Sequence, residues 1–294
     1  MKSVLFVVFG LLSFVLFADT ITLNCGGDVC KVDVAHGARI VSWKVLGEEV
    51  LWNPPVPQKN DGRWRHGGIP IVWPWQGDEY PDGVTNGPLH GVAWQRPFKV
   101  ESHITTSRAD DLSLSLEVGG LRADYSIHCG DRLLNLTFKT TNISKVPRRF
   151  AMSIHPYFYL LERNQAVIEG LNGLRYRDTR DGFATNGVWK GEMPITAWTD
   201  HEFLRRDIGL SSLIFVAGKV WLSVRSSDAE AFWVWNPGER WAEIGAPLYG
   251  ELPDDAWRHI LSIEPSTLGM MDAKPLQPGE SKVLTAQFSR AYSI

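Results

Sequence analysis

From Thr20 onward the chain alternates hydrophobic and polar residues with a period of two. Leu112, Leu114, Leu116 and Val118 fall on one side of an extended chain, and Ser113, Ser115 and Glu117 on the other. Successive side chains of a strand point to opposite faces, so this is the pattern of a half-buried strand. The same reading predicts strands over 31–35 (KVDVA), 122–129 (RADYSIHC), 134–142 (LNLTFKTTN), 212–218 (SLIFVAG) and 282–288 (KVLTAQF). Clusters of Gly, Asn, Asp and Pro punctuate them. Only 252–261 (LPDDAWRHIL) offers a helical turn. Many strands without intervening amphipathic helices predict an all-β chain folded as a large antiparallel β-sandwich. No repeat, low-complexity tract or linker-like shift divides it, so one domain over 19–294 is expected, with a concave polar sheet face wide enough for a sugar-sized ligand.

Two segments break the alternation. Residues 61–98 (DGRWRHGGIPIVWPWQGDEYPDGVTNGPLHGVAWQRPF) are rich in Gly, Pro, Trp and charge. Loops of that length in a compact domain usually build a site, and IPIVWPW is too apolar and aromatic to stay solvated. Residues 1–18 begin with Lys2, run apolar from Val4 to Phe17 and end at Ala18 before Asp19. This order predicts a secretory signal peptide and an exported, periplasmic or secreted, protein. Leu16 stands where cleavage prefers a small residue, so an uncleaved N-terminal anchor is the alternative; without export the protein would be cytoplasmic.

Composition narrows the function. The net charge is −3 with acids and bases interspersed, and no basic stripe is present to displace counterions from a phosphate backbone, which sets nucleic acid aside as a partner. Three cysteines are too few for a disulfide framework. In an exported protein Cys25 and Cys30 are the candidate bridge, leaving Cys129 unpaired. No Cys or His spacing suits zinc, and the absence of an H-x-H disfavours a cupin-like metal enzyme.

Four ordered patterns carry the chemistry: HGGIPIVWPWQG (66–77), PLHGVAWQ (88–95), SIHPYFYL (153–160) and LSIEPST (261–267). Together they resemble the galactose mutarotase-like superfamily, specifically aldose 1-epimerases including the glucose-6-phosphate 1-epimerases. The resemblance extends through TDHEFL (199–204) and VWNP (234–237). It implies a β-supersandwich that interconverts the α and β anomers of an aldohexose or hexose 6-phosphate, as a monomer and without a cofactor. It also implies Glu264 as general base at the anomeric hydroxyl and His155 as general acid at the ring oxygen, with His90 and Asp200 binding substrate. Those two residue types suit the task, because their ordinary pKa values bracket the operating range. The two side chains are expected across one pocket, separated by a pyranose edge and not bonded to each other. Read without the resemblance, His155 is equally a satisfied core histidine and Asp200 a turn residue. Glu264 ends an apolar run, where an ion needs a reason to sit. Of Trp73, Trp75, Trp94, Trp233 and Trp235, at most two are expected to touch a sugar face.

The sequence departs from the phosphate-using relatives. Where they carry Arg before GGIP, Gln before the next motif histidine and Arg at that motif's end, this chain has His66, Leu89 and Trp94. Arg65 and Arg96 are candidate substitutes, although a one-residue slip on a strand turns a side chain to the other face. Free sugars or a glycan end are therefore expected alongside hexose phosphates, with His66 among the sugar-binding residues. A non-catalytic carbohydrate-binding protein on the same fold is the alternative. A glycoside hydrolase would need paired carboxylates flanking the bond, a role for Asp200 and Glu264 that leaves His155 without a purpose.

Overall fold

The computed structural model describes residues 19–55, 64–81, 86–204, 212–217, 220–244 and 252–292. The leader at 1–18, and 61–63 and 82–85 of the long loop, lie outside them. The described residues form antiparallel sheets of four, eight and nine strands. The small sheet is the N-terminal meander of Thr20–Cys25, Asp28–Asp33, Arg39–Val45 and Glu48–Glu49. The nine-stranded sheet includes the neighbours Ser281–Tyr292, Leu133–Asn142, Leu121–Gly130 and Ala109–Val118, with Lys99–Thr105 at its edge. The eight-stranded sheet runs from Asn186–Val188 through Arg175–Asp178, Thr199–Leu204, Ala231–Asn236, Ile260–Ser266 and Ser153–Ile154 to Ile71–Val72.

Alternation decides what each sheet buries. Tyr125, Ile127, Leu136, Phe138 and Phe288 of the nine-stranded sheet share one buried cluster with Phe203, Phe232, Val234, Leu261 and Ile263 of the eight-stranded sheet. Phe158 meets Phe288 edge-on at 5.5 Å between the layers. Each such side chain contributes about 1.5–3 kcal/mol when fully buried. Leu23, Val32 and Trp43 of the small sheet join the same cluster.

The helical turn expected in 252–261 is a single 3-10 turn, Ala256–Arg258. The structure adds 3-10 turns at Ala93–Gln95 and Arg163–Gln165 and a four-residue helix, Trp241–Ile244. One turn is too short to display a helical period, so periodicity could not reveal these.

The expected Cys25–Cys30 bridge is corrected. Cys25 bonds Cys129, with Cα atoms 4.9 Å apart, and Cys30 is free and buried. In the hairpin Cys25 stands opposite Asp28 and Cys30 opposite Leu23, which makes the two cysteines diagonal neighbours. Diagonal Cα atoms lie ~7–8 Å apart, beyond the reach of a relaxed disulfide. Packing of the first strand beside Leu121–Gly130 supplies Cys129, and Asp110 accepts a bond from the Asn24 amide at 3.0 Å alongside.

Candidate active site

Strand register lays out the site. Arg177, Glu202, Trp233 and Glu264 stand opposite one another across four neighbouring strands. Two residues along, Asp200, Trp235 and Ser262 form a second row. Residues i and i+2 share a face, so both rows lie on the side opposite the core-directed Phe232, Val234 and Ile263. Over that side Trp64, His66, residues 76–79, Leu89 and His90, with the 179–183 turn, Trp198 and Trp241, complete a cavity of about 380 Å³. The Ile260–Ser266 strand is buried along its whole length, which is how a carboxylate comes to be only 4 % exposed at Glu264.

Glu264 and His155 are in contact: Oε1 lies 3.2 Å from Nε2. This corrects the expectation that a pyranose edge separates them. Ser153 donates to Glu264 Oε2 at 3.0 Å, and Ser262 donates to Oε1 at 3.2 Å while its oxygen lies 3.1 Å from His155 Nδ1. The set closes when His155 donates from Nδ1 to Ser262, Ser262 donates to Glu264, and one proton lies between Glu264 and Nε2. Burial pushes Glu264 up to about 8, opposed by the two serine bonds and aided by Asp200. Burial also holds His155 well below the usual imidazole range, helped by the neighbouring His90 and His66. A dry wall favours the neutral pair, with the proton on the carboxyl.

Tyr157 stacks on His155 with ring centroids 4.6 Å apart. Its hydroxyl accepts from Trp64 Nε1 at 2.8 Å and lies 3.1 Å from His66 Nδ1. His66 in turn stacks parallel to Trp235 at 6.1 Å. His90 Nδ1 accepts from the Gly77 amide at 3.1 Å, which leaves the ring's proton on Nε2. Burial and His66 lower its pKa to about 3, so the ring is a neutral donor. Asp200, near Thr179, is pushed up to about 6 by burial against the opposing Thr179 hydrogen bond, with Asp178 adding to the rise.

The register and the loop thus bring His155, Glu264, His66, His90 and Asp200 to one cavity. Arg65 and Arg96 are not among its described lining residues. Trp233 and Trp235 line it, whereas Trp73, Trp75 and Trp94 are buried and donate to Thr140, Pro88 and Leu89. Sequence reasoning missed Tyr157, Arg180, Phe183, Trp198 and Trp241. Tyr157 was signalled by its place two residues after His155; the others sit on a turn and on segments with no periodicity to read. Arg180 grips Asp178, donating from Nε at 2.8 Å and from Nη2, and its Nη1 donates to the Trp198 carbonyl.

A sequence profile of the aldose 1-epimerase family matches residues 19–289. A protein of Escherichia coli K12 named "Putative glucose-6-phosphate 1-epimerase" is 27% identical over 244 residues, covering 78% of this chain and 76% of its own. Among solved structures, a "putative mutarotase (YeaD)" from Salmonella typhimurium superposes with TM-score 0.78 at 20% identity, over 93% of this chain and 90% of that one. Galactose 1-epimerase from Lactobacillus acidophilus NCFM does so with TM-score 0.70 at 14% identity, over 94% and 95%. The fold is that of the galactose mutarotases. With a family match spanning nearly all the residues that carry the sheets and the cavity, the chain belongs to the aldose 1-epimerase family, a family of isomerases.

Proposed function

We propose that this enzyme interconverts the anomers of a free aldohexose, with Glu264 as base and His155 as acid. The contact of Glu264 Oε1 with His155 Nε2 in the cavity wall carries the reading. A pair sharing one proton matches the chemistry. With the sugar's O1 and ring oxygen placed against the two groups, the ionised form of the pair takes the O1 proton onto Glu264 and delivers the Nε2 proton to the ring oxygen. The C1–O5 bond breaks as the C1–O1 carbonyl forms. That step leaves Glu264 protonated and His155 neutral, the state burial favours. Rotation about C1–C2 and reclosure by the reverse transfers give the other anomer.

Ser153 and Ser262 orient the carboxylate, and Tyr157 holds the imidazole plane by stacking. His90, a neutral donor, and Asp200, an acceptor when ionised, suit sugar hydroxyls. Trp233 and Trp235 suit the apolar C–H face of the ring. The test is mutarotation of freshly dissolved α-glucose and α-galactose. His155→Ala should slow the catalysed rate by on the order of 10²-fold or more, the usual worth of a positioned acid. Sugar binding without rate acceleration by the wild type would favour a binding protein instead.

The charge of the cavity supports a free sugar over a phosphate. Among the described lining residues Arg180 is the single full cation, already held by Asp178, while Asp78, Glu79 and Asp200 are acidic. Export is the accompanying proposal, supported by the Lys2-led apolar run and by a Cys25–Cys129 disulfide suited to an oxidising compartment. Mass spectrometry of the protein from its native cell tests it, and an intact Met1 in a cytosolic fraction would refute it.

A further inference from the structure

We infer that the cavity takes the reducing end of a short neutral oligosaccharide, with Phe183 and Trp198 receiving the sugar next to the one epimerised. The inference rests on the anomer-interconverting reading above. Neighbouring strands lie ~4.8 Å apart, so the register scales the site. Trp233 is one strand from Glu264 and Asp200 is two strands from Ser262. The strand that leads into Thr179, Arg180 and Phe183 is three strands from Glu264, roughly 14 Å away. A pyranose with C1 at the His155–Glu264 pair lies over Trp233 and Trp235 and brings its O4 and C6 end toward Asp200. The cavity continues past that end, where a 4- or 6-linked sugar would sit.

The far end has features a single hexose does not explain. Phe183 lies at φ +69°, a region that bulky residues rarely adopt and that persists where surrounding structure imposes it. The turn does impose it: the Phe183 amide donates to the Asp178 carbonyl at 2.9 Å and Asp181 accepts from the Thr185 amide at 3.0 Å. The ring is thereby placed 6.5 Å from Trp233, backed by the Arg177 guanidinium at 4.9 Å. Trp198 lines the same cavity, its ring 5.9 Å from the Arg180 guanidinium. At the far end the indole Nε1 of Trp198 is buried without a hydrogen-bond partner, as are the Trp233 Nε1 and Gln76 Oε1 nearer the His155–Glu264 pair. An unmade buried bond costs ~1–3 kcal/mol, and all three belong to residues lining this cavity. Two donors and an acceptor beside aromatic faces are what successive sugar rings satisfy, through hydroxyls and C–H faces. The charge disfavours a phosphate here, because Arg180 is paired with Asp178 and faces the further carboxyl groups of Asp181 and Asp200.

Exchange NMR of the anomeric protons at equilibrium tests this on the purified chain with glucose, glucose 6-phosphate, lactose and maltose (4-linked), and isomaltose (6-linked). At least one disaccharide should show kcat/KM tenfold or more above glucose. Trp198→Ala should lower that ratio to near one, losing more on the disaccharide than on glucose. Phe183→Gly, which suits a positive φ and removes the benzyl side chain, should do the same in a protein that folds. Glucose turned over as well as every disaccharide, a preference for glucose 6-phosphate, or equal losses on both sugars in these variants would each overturn the inference while leaving the epimerase reading standing. Absence of exchange on any sugar would overturn the epimerase reading, and this inference with it.

Discussion

Trp233 stands directly between two buried carboxyl residues, opposite Glu202 on one neighbouring strand and Glu264 on the other. Cross-strand side chains lie ~5 Å apart, so one indole separates two acids in different company. Glu202 meets the Arg177 guanidinium. Glu264 meets two hydroxyls and an imidazole held neutral by burial. With no cation among the described residues in contact with it, Glu264 keeps its proton at neutral pH.

That proton makes stability depend on pH. The folded-state pKa of Glu264 is raised from 4.5 to about 8. Its contribution is therefore fully present below the unfolded value and is lost as pH rises through the folded one. Glu264→Gln keeps the shape and does not titrate. The variant's stability relative to the wild type should rise progressively between pH 4.5 and 8 and stay level above, a change on the order of a few kcal/mol. Thermal melts at pH 5, 6.5 and 8 check it, and a gap independent of pH would show Glu264 ionised throughout.

Activity should follow a bell. Loss of the shared proton of the His155–Glu264 pair lowers kcat/KM as pH rises through about 8. Protonation of Asp200, pushed up to about 6, removes an acceptor for sugar hydroxyls and raises KM as pH falls. Asp200→Asn should raise KM at every pH and abolish the acid limb near 6 while keeping the alkaline one. Steady-state mutarotation between pH 5 and 9 reads both limbs.

Glucose 6-phosphate should not be preferred over glucose by more than about tenfold, ~1.4 kcal/mol. Two free, well-placed charge-assisted bonds would supply more than that, and Arg180 is committed to Asp178 and Trp198. Competition between the two substrates measures the ratio, and a hundredfold preference for the phosphate would show a cationic subsite.

Reducing the Cys25–Cys129 bond should cost about 2–5 kcal/mol, because it closes a loop of 104 residues. Cys129→Ser should show the loss in a denaturant titration. Cys30→Ser should not match it, since that thiol is free; its burial also pushes the thiol pKa far up, so Cys30 should resist thiol reagents until the protein unfolds.

The alternation of Leu112, Ser113 and Leu114, and of Phe232, Trp233 and Val234, already specifies strands with a core face and an outer face. That is local information, carried by a two-residue period and the sterics of an extended chain. It sufficed for an all-β sandwich and for suspecting Glu264 at the end of an apolar run. The motif resemblance marked His90, His155 and, through TDHEFL, Asp200, and marked His66 as a departure from the phosphate-using relatives; the fold brings all four to one cavity.

What tertiary structure alone decided are the pairings between distant segments. Ser153 reaches Glu264 across 111 positions and Cys25 reaches Cys129 across 104, and no periodicity encodes which strand lies beside which. The adjacency of Cys25 and Cys30 in sequence misled because hairpin register sets them diagonally. Arg65 and Arg96 were near the right motifs, yet the cation among the cavity's described lining residues is Arg180, carried on a turn whose position depends on the strand order of a whole sheet. The contact between Glu264 and His155 belongs to the same class: each strand's sequence fixes which face a side chain takes, but only the packing of Ser153–Ile154 beside Ile260–Ser266 fixes the distance, and with it which group holds the proton.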